Sequence, residues 1–150
     1  MISKSKICLA VLLMLAATAV AQQADIECTG MDVARVTLED PHVIPLPNGG
    51  TKQISEAYLV RVHGRFPVNR APALRMFVGD AAIEEVGSFP GGVYFYVWDL
   101  ERLRAFAGKV LRYGFGESPV RETTVVFPTV NETMQKPLSE KRALERPAVK

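Results

Sequence analysis

Val93-Tyr94-Phe95-Tyr96-Val97-Trp98 is a run of six β-branched or aromatic residues, preceded by Pro90-Gly91-Gly92 and followed by Asp99. These residue types favour a strand over a helix, and the length falls within the usual strand range of about 4 to 8. An unbroken apolar run needs cover on both faces, so the stretch predicts a central strand. Alternation puts Val93, Phe95 and Val97 on one face and Tyr94, Tyr96 and Trp98 on the other. The second row has two readings. Exposed, three rings at spacing two form a stacking platform for sugar rings or a sticky edge for a partner, which makes Tyr94, Tyr96 and Trp98 the ligand-binding candidates. Buried, they form a second layer under the element that follows, and its closeness in sequence favours this reading.

That element is a short helix expected over residues 100–107. Asp99 can cap it, Glu101 lies in its first turn, Leu100, Leu103, Phe106 and Ala107 form its stripe, and Gly108 stops it. Upstream, Tyr58, Val60 and Val62 alternate with Leu59, Arg61 and His63, the pattern of a strand with one wet face. Leu74, Met76 and Val78 give another strand, and Gly79-Asp80 turns the chain towards Ala82, Ile83 and Val86. Ala34, Val36 and Leu38 predict a first strand over 32–39, broken by Asp40-Pro41 before a turn-rich loop containing Pro45, Pro47 and Asn48-Gly49-Gly50. Gly87 to Gly92 reads as a turn. Downstream, strand character returns over 109–115 and 122–127. Beyond Pro128 the periodicity fades, and residues 128–150 read as a solvated, disordered tail in which Leu138 and Leu144 leave room for a transient helix. Six or seven short strands separated by Gly, Pro and Asn predict a mainly β fold, an antiparallel sandwich or small barrel. One domain over 32–127 suffices, with 22–31 as a lead-in.

The first 21 residues stand apart. Lys4 and Lys6 precede an uncharged apolar stretch from Ile7 to Val20, and Ala19-Val20-Ala21 matches the small-x-small cleavage pattern of a secretory signal peptide. The stretch is shorter than the ~20 residues that span a bilayer, so stable membrane insertion after cleavage is not expected. A periplasmic or secreted location follows. The chain carries 18 Lys+Arg and 16 Asp+Glu; without Lys4 and Lys6 the balance is even, which gives no electrostatic footprint for nucleic acid. Cys8 leaves with the signal, so Cys28 cannot close an intramolecular disulfide and stability must come from a core.

Tyr58 to Phe66 (YLVRVHGRF) and Leu74 to Ile83 (LRMFVGDAAI) are similar to the opening strand and following hairpin of the IPT/TIG group of immunoglobulin-like domains. The resemblance covers roughly 60 to 70 residues in the middle of the chain and implies an immunoglobulin-like sandwich in an accessory or binding domain. It carries no catalytic residues over. The helix at 100–107 departs from the group's pattern, and its closing strand is not evident after Gly116.

Reactive constellations are sparse. His63 lies beside Gly64 with no nucleophile or orienting acid at a recognisable spacing, and His42 lies in a proline-rich loop. Glu84 and Glu85 are adjacent, so in extended chain they point to opposite faces and do not converge on one bond. The glycines of 87–92 match neither a Walker nor a dinucleotide pattern, and Ser88 lacks a nucleophile elbow. Paired-Cys zinc patterns are absent, so no metal or cofactor is expected. Asn131-Glu132-Thr133 matches an Asn-glycosylation acceptor. The sequence therefore points to a non-enzymatic, exported binding or scaffolding domain acting through an unidentified protein partner. A sugar-binding module using Tyr94, Tyr96 and Trp98 is the alternative, and an unrecognised hydrolase a remote one.

Overall fold

The run from Val93 onward forms a strand over Gly92–Val97, and its inner residues are sealed while its outer ones are half-buried. The structure is a computed structural model that describes residues 27–66, 73–130 and 136–145. The signal-peptide and glycosylation readings fall outside these residues. In chain order the elements are β1 (Glu27–Pro45), β2 (Thr51–Arg65), β3 (Leu74–Val78), β4 (Ala81–Ile83), β5 (Gly87–Phe89), β6 (Gly92–Val97), α1 (Leu100–Phe106), β7 (Val110–Phe115), β8 (Arg121–Val126), β9 (Leu138–Ser139) and α2 (Glu140–Glu145).

Two sheets are built from them, ordered β5-β6-β2-β1-β9 and β4-β3-β7-β8. Each has two ends, so the small-barrel alternative is replaced by two open sheets sharing one core. Val60, Val62, Val93, Phe95 and Val97 project into that core from the first sheet, meeting Leu74, Met76, Val78, Leu111 and Val125 from the second. The chemistry is that of alternating strands: every second residue is apolar and therefore inward. The helix α1 is where the sequence places it. Asp99, in extended conformation, accepts a hydrogen bond from the Arg102 N–H through Oδ1 at 2.7 Å. Leu103 and Phe106 plug the inner core, with the Phe106 ring 5.4 Å from that of Phe127 and edge-on to it.

Five expectations are corrected. The helix α1 does not cover the aromatic row, because its apolar stripe is spent on the inner core. Asp40-Pro41 does not end the first strand; a register shift between Thr37 and His42 absorbs it, and β1 runs on to Pro45. The same strand reaches back to Glu27 into the expected lead-in, and Gly87 to Phe89 pairs with β6 instead of turning. Finally, Leu138 to Glu145 is not a solvated tail. Leu138 and Ser139 pair in parallel with Val36 and Thr37, so the first sheet is not purely antiparallel, and Ala143 of α2 is fully buried on its outer face.

The long register shift leaves β1 and β2 with a shared extension. Beyond Tyr58, whose partner is Val97, no strand but β1 pairs with β2 among the described residues. Between Glu39 and Glu56 no residue is buried. The extension is a two-stranded arm, closed at its tip by Leu46 N–H donating to Gly50 O (2.8 Å) and Gly49 N–H donating to Leu46 O (3.0 Å). Pro47 presets the turn, Asn48 Oδ1 accepts from the Gly50 N–H at 3.0 Å, and Gly49 takes φ 83°, which suits glycine.

Candidate functional site

The outer face of the first sheet is a set of cross-strand rows. Register places His63 between Gly30 and Gly92, Arg61 between Asp32 and Tyr94, and Leu59 between Ala34 and Tyr96. The ring of Tyr94 lies across β5, where a Cβ on Gly87 would displace its tip, so glycine lets the ring lie flat against that strand. Tyr94 and Tyr96 meet edge to face at 5.7 Å between centroids. Tyr96 and Trp98 stack at 5.3 Å, and His42 stacks on Trp98 at 4.3 Å with 9° between ring planes. The candidates Tyr94, Tyr96 and Trp98 are thus brought together as a row, and His42, which sequence reasoning set aside, extends it.

The cover over this row comes from the far end of the described chain. Tyr96 Oη donates to Glu140 Oε1, and Glu140 Oε2 accepts from the backbone N–H of Glu39 at 3.3 Å. One carboxylate therefore pins the start of α2 to both β6 and β1. Burial first, and then the bond to Glu140, raises the Tyr96 phenol well above its ordinary range. Further along α2, Arg61 Nη1 donates to Ala143 O at 2.7 Å, so a cation meets a carbonyl in the C-terminal half of the helix. Ala143, Leu138 and Leu144 pack with Val36, Leu59 and the three aromatics.

Asp32 organises the polar end of the face. Its Oδ1 accepts from Arg61 Nε at 2.7 Å, and its Oδ2 lies 2.7 Å from His63 Nε2. The His63 ring stands edge-on to Phe89 at 5.7 Å. A histidine oriented by an aspartate is half of a general-base arrangement. Two other reactive side chains of the first sheet, Ser88 and Cys28, are placed towards the inner face. Ser88 pairs with Val93, which faces the inner core, and Cys28 packs against that core, its thiol pushed up to about 11 by burial. Asp32 also holds Arg61 where its guanidinium meets the Ala143 carbonyl.

At the Trp98 end a cleft of about 250 Å³ opens, lined by His42, Glu84, Glu85, Tyr96, Trp98 and Arg102. Glu84 and Glu85, expected on opposite faces of extended chain, both line this cleft, because the chain leaves β4 at Ile83 and bends at Glu84. The Arg102 guanidinium is 5.6 Å from the centre of the Phe106 ring. Among the described residues no group of three or more His, Cys, Asp or Glu side chains could hold a metal ion, and no helix is long and apolar enough to cross a membrane.

No known family, curated protein or solved structure matches the chain. The geometry alone carries the functional reading.

Two of these features leave a faint trace in the sequence. Asp32 is an acid in phase with the apolar row of Ala34, Val36 and Leu38, on a strand whose partner carries Arg61 and His63, but their meeting depends on the β1–β2 register. Leu138 and Leu144 mark a short apolar stripe, though not the surface that it covers.

Proposed function

We propose that this chain is an exported, non-enzymatic binding or scaffolding domain that acts through protein–protein contacts, with the β1–β2 arm as its contacting element. The exposure of the arm carries the reading. Among the described residues the exposed large apolar side chains are Val43 (50%), Leu46 (38%) and Val126, and the first two lie on the arm. An arm without a buried residue does little to stabilise the two sheets, since an isolated two-stranded ribbon is marginal in water. Its apolar side chains are accounted for by something that covers them. In the same proposal the two sheets are an immunoglobulin-like sandwich, as the resemblance over residues 58–83 implies, with α1 and β9 as departures.

The aromatic row supports a sugar platform less well. Trp98 stacks on His42 and Tyr96, and Tyr96 is bonded to Glu140, so much of the row is occupied by its own chain. The opening left to that alternative is the cleft beside Trp98.

A photo-crosslinking residue at Leu46 tests the contact reading, with the same residue at the exposed Glu117 as control. The full chain, expressed with its N-terminal segment and crosslinked in intact cells, is expected to give discrete adducts from position 46 and none from 117. In a Val43→Ser background the adducts should weaken several-fold. Absence of adducts from the arm, or an equal pattern from both positions, overturns the proposal.

A further inference from the structure

The two long edges of the arm differ. On the β1 edge, Pro41 and Pro45 have no N–H to offer, and proline on an exposed edge blocks the addition of another strand. The β2 edge, Thr51-Lys52-Gln53-Ile54-Ser55-Glu56, has no proline, and β6 begins to pair with β2 only at Tyr58. Its backbone groups on the side away from β1 have no strand partner among the described residues.

We propose that this edge pairs antiparallel with the same edge of a second copy of the chain, giving a twofold dimer centred on Ile54. The inference rests on the reading of the arm as the contacting element and names its partner. Charge complementarity selects a second copy. When residues 51–57 run antiparallel to themselves about Ile54, Lys52 stands opposite Glu56 of the other copy, twice over by symmetry. Gln53 stands opposite Ser55, and Ile54 opposite its own equivalent. Opposite charges facing across a strand pair stabilise it, and like charges destabilise it. Alternation puts Lys52, Ile54 and Glu56 on one side of the arm, so the apolar pair is flanked by the two ion pairs.

Glu56 is poised for this role. Arg35 donates to it from Nε at 3.0 Å and from Nη2, and both bonds end on Oε2. Oε1 takes no part in that pair and is left for a second cation. Lys52 is exposed. Strand pairing over about six residues buries less than a standard interface, so the dimer is a weak one, with a dissociation constant on the order of micromolar.

Sedimentation equilibrium of the purified mature chain over a range of concentrations reads the result. Wild type should follow a monomer–dimer equilibrium. Lys52→Glu places two like-charged pairs across the axis, and so does Glu56→Lys; each alone should weaken self-association roughly tenfold. Mixed in equal amounts the two variants should associate again to within about threefold of wild type, because every cross pair is then complementary. Circular dichroism checks that each variant keeps its strand content, and Lys52→Glu suffices by itself should Glu56→Lys disturb Arg35. A wild-type chain that stays monomeric to about 1 mM, single variants that associate as well as wild type, or a mixture that stays monomeric overturns the dimer. Adducts from Leu46 in the crosslinking experiment would still stand in that case, so loss of the dimer and loss of the arm's contact role are separable.

Discussion

On one side of β6, Val93, Phe95 and Val97 are sealed between two sheets; on the other, Tyr94, Tyr96 and Trp98 are half-buried under a helix of six residues. The two rows alternate along one backbone, so the difference lies in what covers them. The inner cover is a whole sheet plus α1, packed by apolar side chains from several elements. The outer cover is held by a few named contacts: Tyr96 to Glu140, Arg61 to Ala143, and the burial of Ala143 itself. An inner face tolerates the loss of no large side chain, whereas an outer face of this kind is a latch whose strength is spread over a few hydrogen bonds.

The strongest challenge to that contrast is Phe95→Ala. It empties a fully buried site and should cost about 3 to 5 kcal/mol of unfolding free energy, read by urea denaturation. A cost below about 1 kcal/mol would mean that the inner face is no better packed than the outer. Next comes Ala143→Leu, which overfills the contact between α2 and the sheet. It should cost about 1 to 3 kcal/mol and shift the Trp98 emission to the red as the cover lifts. An unchanged spectrum would mean that α2 does not control the exposure of the row.

Alkaline titration gives the smallest effect and compares the two faces directly. Burial on the inner side raises Cys28 from an ordinary 9.0 to about 11, and Tyr96 on the outer side is raised from an ordinary 10.0. In both cases the folded protein holds its proton more tightly than the unfolded chain does. The stability this confers is complete below the unfolded value and is lost as pH rises towards the folded one. Destabilisation should therefore begin near pH 9 through Cys28, and above about 10 through Tyr96 as well. In Cys28→Ser the onset should move up towards pH 10, while in Tyr96→Phe it should stay near 9 with a shallower fall beyond. Identical titration curves for the two variants would remove the distinction between the faces.

What the residues reveal before any coordinates divides along the same line. The strand β6 and the helix α1 are legible because their signals are local: a β-branched and aromatic run, then an acidic cap and an apolar stripe that ends at glycine. The alternation of Leu74 to Val78 is equally local and holds in the structure, whereas the row of Leu59, Arg61 and His63, read as a wet face, is covered, with Leu59 fully buried and Arg61 and His63 largely so. The continuation of β1 is not legible. Pro41 reads as a breaker, and only pairing with β2 across a register shift shows that it sits where no ladder bond is needed. Nor could Asp32 be joined to His63, because 31 residues and a bulge separate them. The aromatic row is legible, but its cover is not, because the covering residue Ala143 lies far along the chain and carries a single methyl group with little hydrophobic signal of its own.

The latch also has a timetable. Glu140 lies 44 residues beyond Tyr96, so a chain emerging from its amino end completes β6 well before the piece that shields it exists. During that interval the nascent sheet carries a bare strip of rings on its outside, a surface for holdases and a hazard for neighbours. The last turn of helix to arrive converts a sticky intermediate into a quiet one.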